Sequence, residues 1–184
     1  MDFTFNRIGK GQPITILDVT NYPGSSIELF EDGKLTGIVA DTNFRAVARF
    51  QGDTGYIAGW DTESNSKFDF RMDREDGTIF AWGEVQARHI VFPDHEGSYS
   101  MEVISNTFTK ETYRYHYRFM MNNKVHCEIR YKPMPQAGWF KRNFTTAEEK
   151  GQIWLSDSLN RDYLLGFMLV FTRSFDVTSA PDSD

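Results

Sequence analysis

Apolar and polar residues alternate along most of the chain, in short runs separated by turn residues. Phe68–Met72 alternates strictly, and the runs Ser26–Phe30 and Leu35–Ala40 flank the turn Glu31–Lys34. A period of two places successive side chains on opposite faces of a strand. About a dozen such segments, spaced ~8–12 residues apart, predict an antiparallel barrel or sandwich.

One segment breaks this alternation. Tyr163–Phe171 is apolar without a polar face. It is too short to span a bilayer, which needs ~20 residues, and a helix that is apolar all round has to be surrounded by protein. A buried central strand is the alternative, but Ser156 and Asp157 can cap a helix. We therefore predict a helix at about 158–173, around which or against which an antiparallel barrel of about twelve strands forms.

Length, charge and cysteine content narrow the class of protein. A chain of 184 residues suits one domain, which we place at 1–175, and the acidic end, 176–184, is predicted to be a disordered tail. The net charge of −6 argues against nucleic-acid binding. The single cysteine, Cys127, cannot form an internal disulfide, and Met1–Phe5 has no signal-peptide pattern. We therefore expect a cytoplasmic protein.

Positive charge is concentrated in one region. Residues 110–142 contain eight Lys or Arg and two acids, a net charge of +6 in a chain of −6. Two strands here are predicted to form a hairpin with a three-residue loop, Asn122–Lys124. This loop sets Arg118 opposite Glu128 and His116 opposite Arg130, whereas a two-residue loop would mix the apolar and basic faces. His126 is expected on the outer, basic face.

The basic face of this hairpin is the candidate ligand site. Its unbalanced cations are predicted to receive an anion or a lipid headgroup, so an anionic membrane surface or a protein partner is expected. The residues of this candidate site are Arg114, His116, Arg130, Lys132, Lys141 and Arg142. The alternative is a solvated strand face on which Arg118 and Glu128 form a weak cross-strand pair.

Patterns for catalysis or metal binding are weak. The four histidines lack the ligand spacing of a zinc site, and Asp94-His95-Glu96 lies between Pro93 and Gly97 as a polar turn. Cys127 is predicted to be a buried structural thiol. No cofactor or metal is predicted. The leading hypothesis is therefore not an enzyme, although an acid–base site in the barrel mouth, formed by His116, His126 and Glu128, stays open as an alternative.

The four tryptophans are predicted to be core or barrel-rim residues, with ligand stacking as the less favoured alternative. They are Trp60, Trp82, Trp139 and Trp154.

The succession of about a dozen antiparallel strands and then the apolar segment Asp162–Val170 resembles the tubby C-terminal-like superfamily. This group includes tubby domains, LURP-one-related proteins and phospholipid scramblases. Strand–Asp-Gly–strand units at 29–35 and 74–79 resemble the hairpins of that family. The resemblance implies a barrel threaded by its last helix, and a non-enzymatic scaffold that touches membrane lipid or a protein partner. A calycin-type carrier of a small apolar ligand is the runner-up, and a helix that fills the barrel would remove its cavity.

Overall fold

The computed structural model describes residues 1–8, 14–16, 19–21, 25–41, 45–50, 55–60, 70–84, 87–95, 97–107, 114–132 and 149–178. These residues form strands and one helix, α1 (Tyr163–Thr178). The strands are β1 (Asp2–Ile8), β2 (Ile14–Ile16), β3 (Val19–Asn21), β4 (Ser25–Glu31), β5 (Lys34–Asp41), β6 (Arg45–Phe50), β7 (Gly55–Trp60), β8 (Phe70–Arg74), β9 (Ile79–Glu84), β10 (His89–Val91), β11 (Ser98–Thr107), β12 (Arg114–Met121), β13 (Lys124–Lys132) and β14 (Glu149–Leu155). The strand predicted at Trp139–Phe144 lies outside the described residues.

The main sheet is antiparallel and follows the chain. Its order is β1-β14-β13-β12-β11-β10-β9-β8-β7-β6-β5-β4, and β1 pairs with β14 on one side and with β4 on the other, which closes the order. β2 and β3 pair separately. The prediction of a mainly β, antiparallel fold followed by one helix is confirmed.

α1 lies at the centre of the hydrophobic core. Its side chains Leu164, Leu165 and Phe167 to Val170 are fully buried. Phe167 packs on rings from β11 and β12, and Phe171 packs on rings from β1 and β12. Burying a side chain of this size stabilises a fold by ~1.5–3 kcal/mol. Apolar side chains on every side of the helix therefore have partners on strands from different parts of the sheet.

Gly166 permits the close approach of α1 to the sheet. A Cβ atom at this position would lie 2.9 Å from both Ile90 Cδ1 and Phe92 Cζ. Glycine inside a helix costs ~1 kcal/mol relative to alanine. Because any larger residue would clash with Ile90 and Phe92, the close packing explains why glycine is present here despite this cost.

The boundaries of the helix differ from the prediction. The Ser156 hydroxyl accepts from the Ser158 amide in a preceding turn, while Asn160 Oδ1 accepts from the Asp162 amide at 3.1 Å. Asn160 therefore supports the first turn, and α1 begins at Tyr163 rather than at about 158. The helix continues to Thr178, past the predicted end at 173 and into the predicted tail, because no Gly or Pro follows until Pro181. Residues 179–184 lie outside the described part of the chain.

The β12–β13 hairpin has the predicted register but a different loop. Arg118 pairs with Glu128 and His116 pairs with Arg130, as expected. The loop, however, has two residues, Asn122 and Asn123, with φ of 52° and 60°. Paired left-handed residues are typical of a two-residue hairpin turn. A bulge at His126 adds one residue to β13 and restores the register, so the predicted three-residue loop is wrong.

Candidate functional site

The outer face of the β12–β13 hairpin is organised around one carboxylate, Glu128. Its Oε1 accepts from Arg118 Nε at 3.0 Å and hydrogen-bonds His116 Nε2, and its Oε2 accepts from Arg130 Nη2 at 2.9 Å. Partial burial would raise the pKa of Glu128, but the hydrogen bonds from Arg118, His116 and Arg130 outweigh this and hold the pKa below its ordinary value. Glu128 is therefore ionised at neutral pH and orients three basic side chains.

The cluster retains positive charge. Among Glu128, His116, Arg118 and Arg130, one carboxylate balances one of the two guanidinium groups, and Arg130 is 61% exposed. Glu102 lies opposite Arg118 on β11, but in the described part of the chain it forms no hydrogen bond with Arg118. A guanidinium group carries five N–H donors in a planar fork, so a single hydrogen bond to Glu128 leaves donors for another oxygen ligand. The arrangement can therefore donate hydrogen bonds to an anion.

The structure brings together two of the six predicted site residues, His116 and Arg130. Arg114 begins β12 and Lys132 ends β13, but their side chains lie outside the described part of the chain, as do residues 141–142. Sequence reasoning treated Arg118 only as a partner of Glu128. The signal that places Arg118 in the cluster is the strand period it shares with His116.

The position of His126 differs from the prediction. It was expected on the basic face, but it is 6% exposed and its ring meets that of Tyr99 edge to face at 5.4 Å. The bulge at His126 shifts the alternation of β13 and turns this side chain inward. Within the described residues, its Nδ1 atom is buried without a hydrogen-bond partner. Burial, followed by the charges of Lys124 and His95, lowers the pKa of His126.

The acid–base set considered from the sequence is consequently not assembled. His116 and Glu128 meet on the outside of the sheet, whereas His126 packs inside against Tyr99. In the described part of the chain, no group of three or more His, Cys, Asp or Glu side chains is arranged to hold a metal ion.

A second polar network ties the start of α1 to neighbouring strands. The Tyr163 hydroxyl donates to Asp94 Oδ1 at 2.8 Å, and the Tyr56 hydroxyl donates to Asp162 Oδ2 at 2.5 Å. Burial and the nearby Asp94 carboxylate raise the pKa of Tyr99 to about 12. Asp94 and His95 lie in the predicted turn, and residue 96 lies outside the described part of the chain. The two hydrogen bonds hold the first residues of α1 against the neighbouring strand and turn.

Cys127 and Trp154 have opposite environments. Cys127 is fully buried, and burial raises the pKa of its thiol, so the predicted structural role is supported. Trp154 on β14 is 40% exposed and lies on the outer face, so it is not a core residue. Trp82 on β9 is half-buried.

A groove of about 470 Å³ runs beside the Glu128 cluster over the outer face of β13, β14 and β1. The turn between β4 and β5 borders its far side. This turn has the predicted residues, with Asp32 and Gly33 at φ of 50° and 74°. The polar and aromatic side chains that line the groove include Asp2, Thr4, Asp32, Arg130, Gln152 and Trp154.

Among the described helices, none combines the length and the apolar character needed to cross a membrane. Comparison with protein-family models, curated proteins and solved structures finds no match to this chain.

Proposed function

We propose that this chain is a non-enzymatic binding protein of the tubby-like type, a barrel threaded by its last helix. It contacts anionic lipid headgroups through the outer face of the β12–β13 hairpin. One observation carries the proposal: Arg118, His116 and Arg130 are held side by side by Glu128 on an accessible face. Its expected location is the cytoplasm, peripherally at membranes.

Fixing the cations before the ligand arrives favours binding, because less side-chain entropy is lost in the complex. An arginine fork also matches the oxygens of a phosphate better than an ammonium group does. Arg130 is the most accessible of the three basic side chains, and Arg114 and Lys132 belong to the same two strands. A headgroup phosphate is therefore the anion that this face suits best.

The packed interior favours this proposal over an apolar-ligand carrier. α1 fills the space that a calycin-type carrier would keep open, with six of its side chains fully buried between Leu164 and Val170. A ligand inside the barrel would have to displace these side chains. The outer face requires no such displacement.

Vesicle flotation tests the proposal. Vesicles containing an anionic lipid should retain the protein more strongly than neutral vesicles, and the difference should shrink at physiological salt because exposed charges are screened. Each basic residue near an anionic surface contributes ~1 kcal/mol. Reversing two charges with Arg130→Glu and Lys132→Glu should therefore weaken the anion-dependent binding at least ~10-fold.

Arg71→Glu with Arg88→Glu is the matched control, since it makes the same charge change near β8 and the start of β10. Circular dichroism of both doubles checks that they remain folded. Equal vesicle binding by the two doubles would contradict the proposal and leave a protein partner as the next candidate.

A further inference from the structure

The groove beside the Glu128 cluster has a defined cross-strand floor. Arg130 pairs with Gln152, and Gln152 pairs with Thr4. In the next outward-facing row, Glu128 pairs with Trp154, and Trp154 pairs with Asp2. The outward faces of β13, β14 and β1 therefore form the floor of the groove, and the β4–β5 turn brings Asp32 to its edge.

The two sides of this groove carry opposite charge. Arg130 stands on β13, whereas Asp2 on β1 and Asp32 beyond it are both exposed. Across the described part of the chain, no residue forms a hydrogen bond or ion pair with either aspartate side chain. Glu128 already accepts from three basic groups, so the unbalanced negative charge comes from Asp2 and Asp32.

An aromatic surface separates the charges. Trp154 lies on β14, between Glu128 on β13 and Asp2 on β1 and one outward row away from Arg130, and 40% of it is exposed. The face of an indole ring attracts cations and is the preferred contact of quaternary ammonium groups. Neighbouring carboxylates strengthen that attraction, while the guanidinium fork favours a phosphate. The groove is thus complementary to a small molecule that carries both charges.

The dimensions agree with such a ligand. Neighbouring strands lie ~4.8 Å apart, so the backbones of β13 and β1 are ~10 Å apart across β14. The long Arg130 side chain reaches over β14 toward Asp2 and Asp32. The remaining distance suits a ligand whose two charged groups are joined by a short linker. The groove volume, about 470 Å³, falls within the ~300–1,000 Å³ typical of small-molecule sites.

We propose that this groove binds phosphocholine, with the quaternary ammonium over Trp154 near Asp2 and Asp32, and the phosphate on Arg130. The inference goes beyond the proposed function, because phosphocholine carries both charges, and it rests on that function for one contact, the phosphate at Arg130. A primary ammonium is a poorer fit because its hydration shell has to be removed before it can stack on the indole ring. The source is either a soluble phosphocholine ester or the headgroup of a membrane lipid.

Nuclear magnetic resonance of the full chain tests the groove directly. The indole N–H signal of Trp154, assigned through the Trp154→Phe variant, should shift on titration with phosphocholine. Phosphocholine should half-saturate this shift at a concentration at least ~10-fold below that of choline or inorganic phosphate alone, because each of these makes only part of the contacts. Phosphoethanolamine should bind more weakly than phosphocholine.

Variants separate this inference from the proposed function. Asp2→Asn with Asp32→Asn should weaken phosphocholine binding by ~10-fold or more and leave inorganic phosphate unaffected. Glu84→Gln on β9 is the control for loss of a carboxylate elsewhere on the sheet. If anionic vesicles bind but phosphocholine binds no better than phosphate, the inference fails and the proposed function stands. If anionic vesicles and phosphocholine both fail to bind, both are overturned.

Vesicles of pure phosphatidylcholine distinguish the two sources. Retention that falls in the double aspartate variant supports the lipid headgroup. Binding of soluble phosphocholine without retention on these vesicles supports a soluble ester at the same site.

Discussion

The inner and outer faces of β13 and β14 show how one strand period serves two kinds of interaction. Cys127, Ile129 and Ile153 point inward, where they are almost completely buried in the core around α1. Glu128, Arg130 and Trp154 alternate with them and point outward, where they line the groove. Each inward position packs against several elements, whereas each outward position depends on its cross-strand neighbours.

The two faces are therefore sensitive to different changes. The inner face needs apolar residues of suitable volume, and a charge there has no partner and little access to water. The outer face already contains charges, and what it needs is the correct register, because a shift of one residue would separate Glu128 from its donors. The residues that stabilise the core therefore lie on the inside, and the residues of the proposed ligand contacts lie on the outside.

The largest expected effect is on the inside. Leu165→Asp places a charge at a fully buried position of α1 and should abolish cooperative folding. Leu35→Asp makes the same change at a position on β5 that is 39% exposed, and it should fold normally. Urea unfolding followed by circular dichroism compares the two variants. A cooperative transition in Leu165→Asp would show that α1 is peripheral to the core.

An intermediate effect is expected on the outside. Glu128→Gln removes the charge that holds three donors and should lower the free energy of unfolding at pH 7 by ~1–2 kcal/mol. The pKa of Glu128 is lower in the folded state, so its contribution is present above the ordinary value of 4.5 and is lost as the pH falls through the folded-state value. Unfolding measured between pH 3 and 7 should show a weaker acid dependence in the variant.

Glu102→Gln is the control for Glu128→Gln. Glu102 is exposed on β11 and pairs in register with Arg118. The substitution therefore removes one carboxylate from the same face but leaves Glu128 and its hydrogen bonds in place. Its effect should stay within ~0.5 kcal/mol. Equal stability of the two variants would mean that the Glu128 contacts do not stabilise the hairpin.

The smallest effect concerns the one buried imidazole described above. Since the pKa of His126 is lowered by folding, the unfolded chain binds its proton first as the pH falls. The free energy of unfolding should be highest above the ordinary value of 6.5 and should decrease as the pH falls from there toward 5. His126→Phe should flatten this decrease, whereas His89→Gln, at a half-buried position on β10, should preserve it. Identical pH profiles for all three proteins would contradict this assignment.

Local patterns in the sequence predict the buried helix and the register of the β12–β13 hairpin well. The apolar run Tyr163–Phe171 indicates a helix buried on all sides, and alternation on β12 and β13 predicts the pairs Arg118–Glu128 and His116–Arg130. These features depend on periodicity and on residues close together along the chain. The start of α1 is predicted less well because two consecutive turns, at Ser156 and Asn160, both offer capping side chains.

The candidate site is less visible in the sequence for two physical reasons. A single bulge on β13 turns His126 inward and converts a three-residue loop into a two-residue turn, and nothing in the residue pattern marks it. The groove also requires that β1 pairs with β14. This pairing brings together residues that are far apart in the sequence, such as Asp2 and Trp154. Trp154 therefore has no neighbours that the local sequence could reveal.

The pairing of β1 with β14 also constrains how the protein can fold during synthesis. Ribosomes release the amino-terminal strand first, yet its partner β14 and the central helix emerge only after β13 has been made. Until then the inward-facing rings of β1, Phe3 and Phe5, lack part of their final cover. Such contacts between distant segments raise the contact order and slow folding. The nascent chain therefore passes through a stage with exposed apolar surface, at which chaperones can bind it.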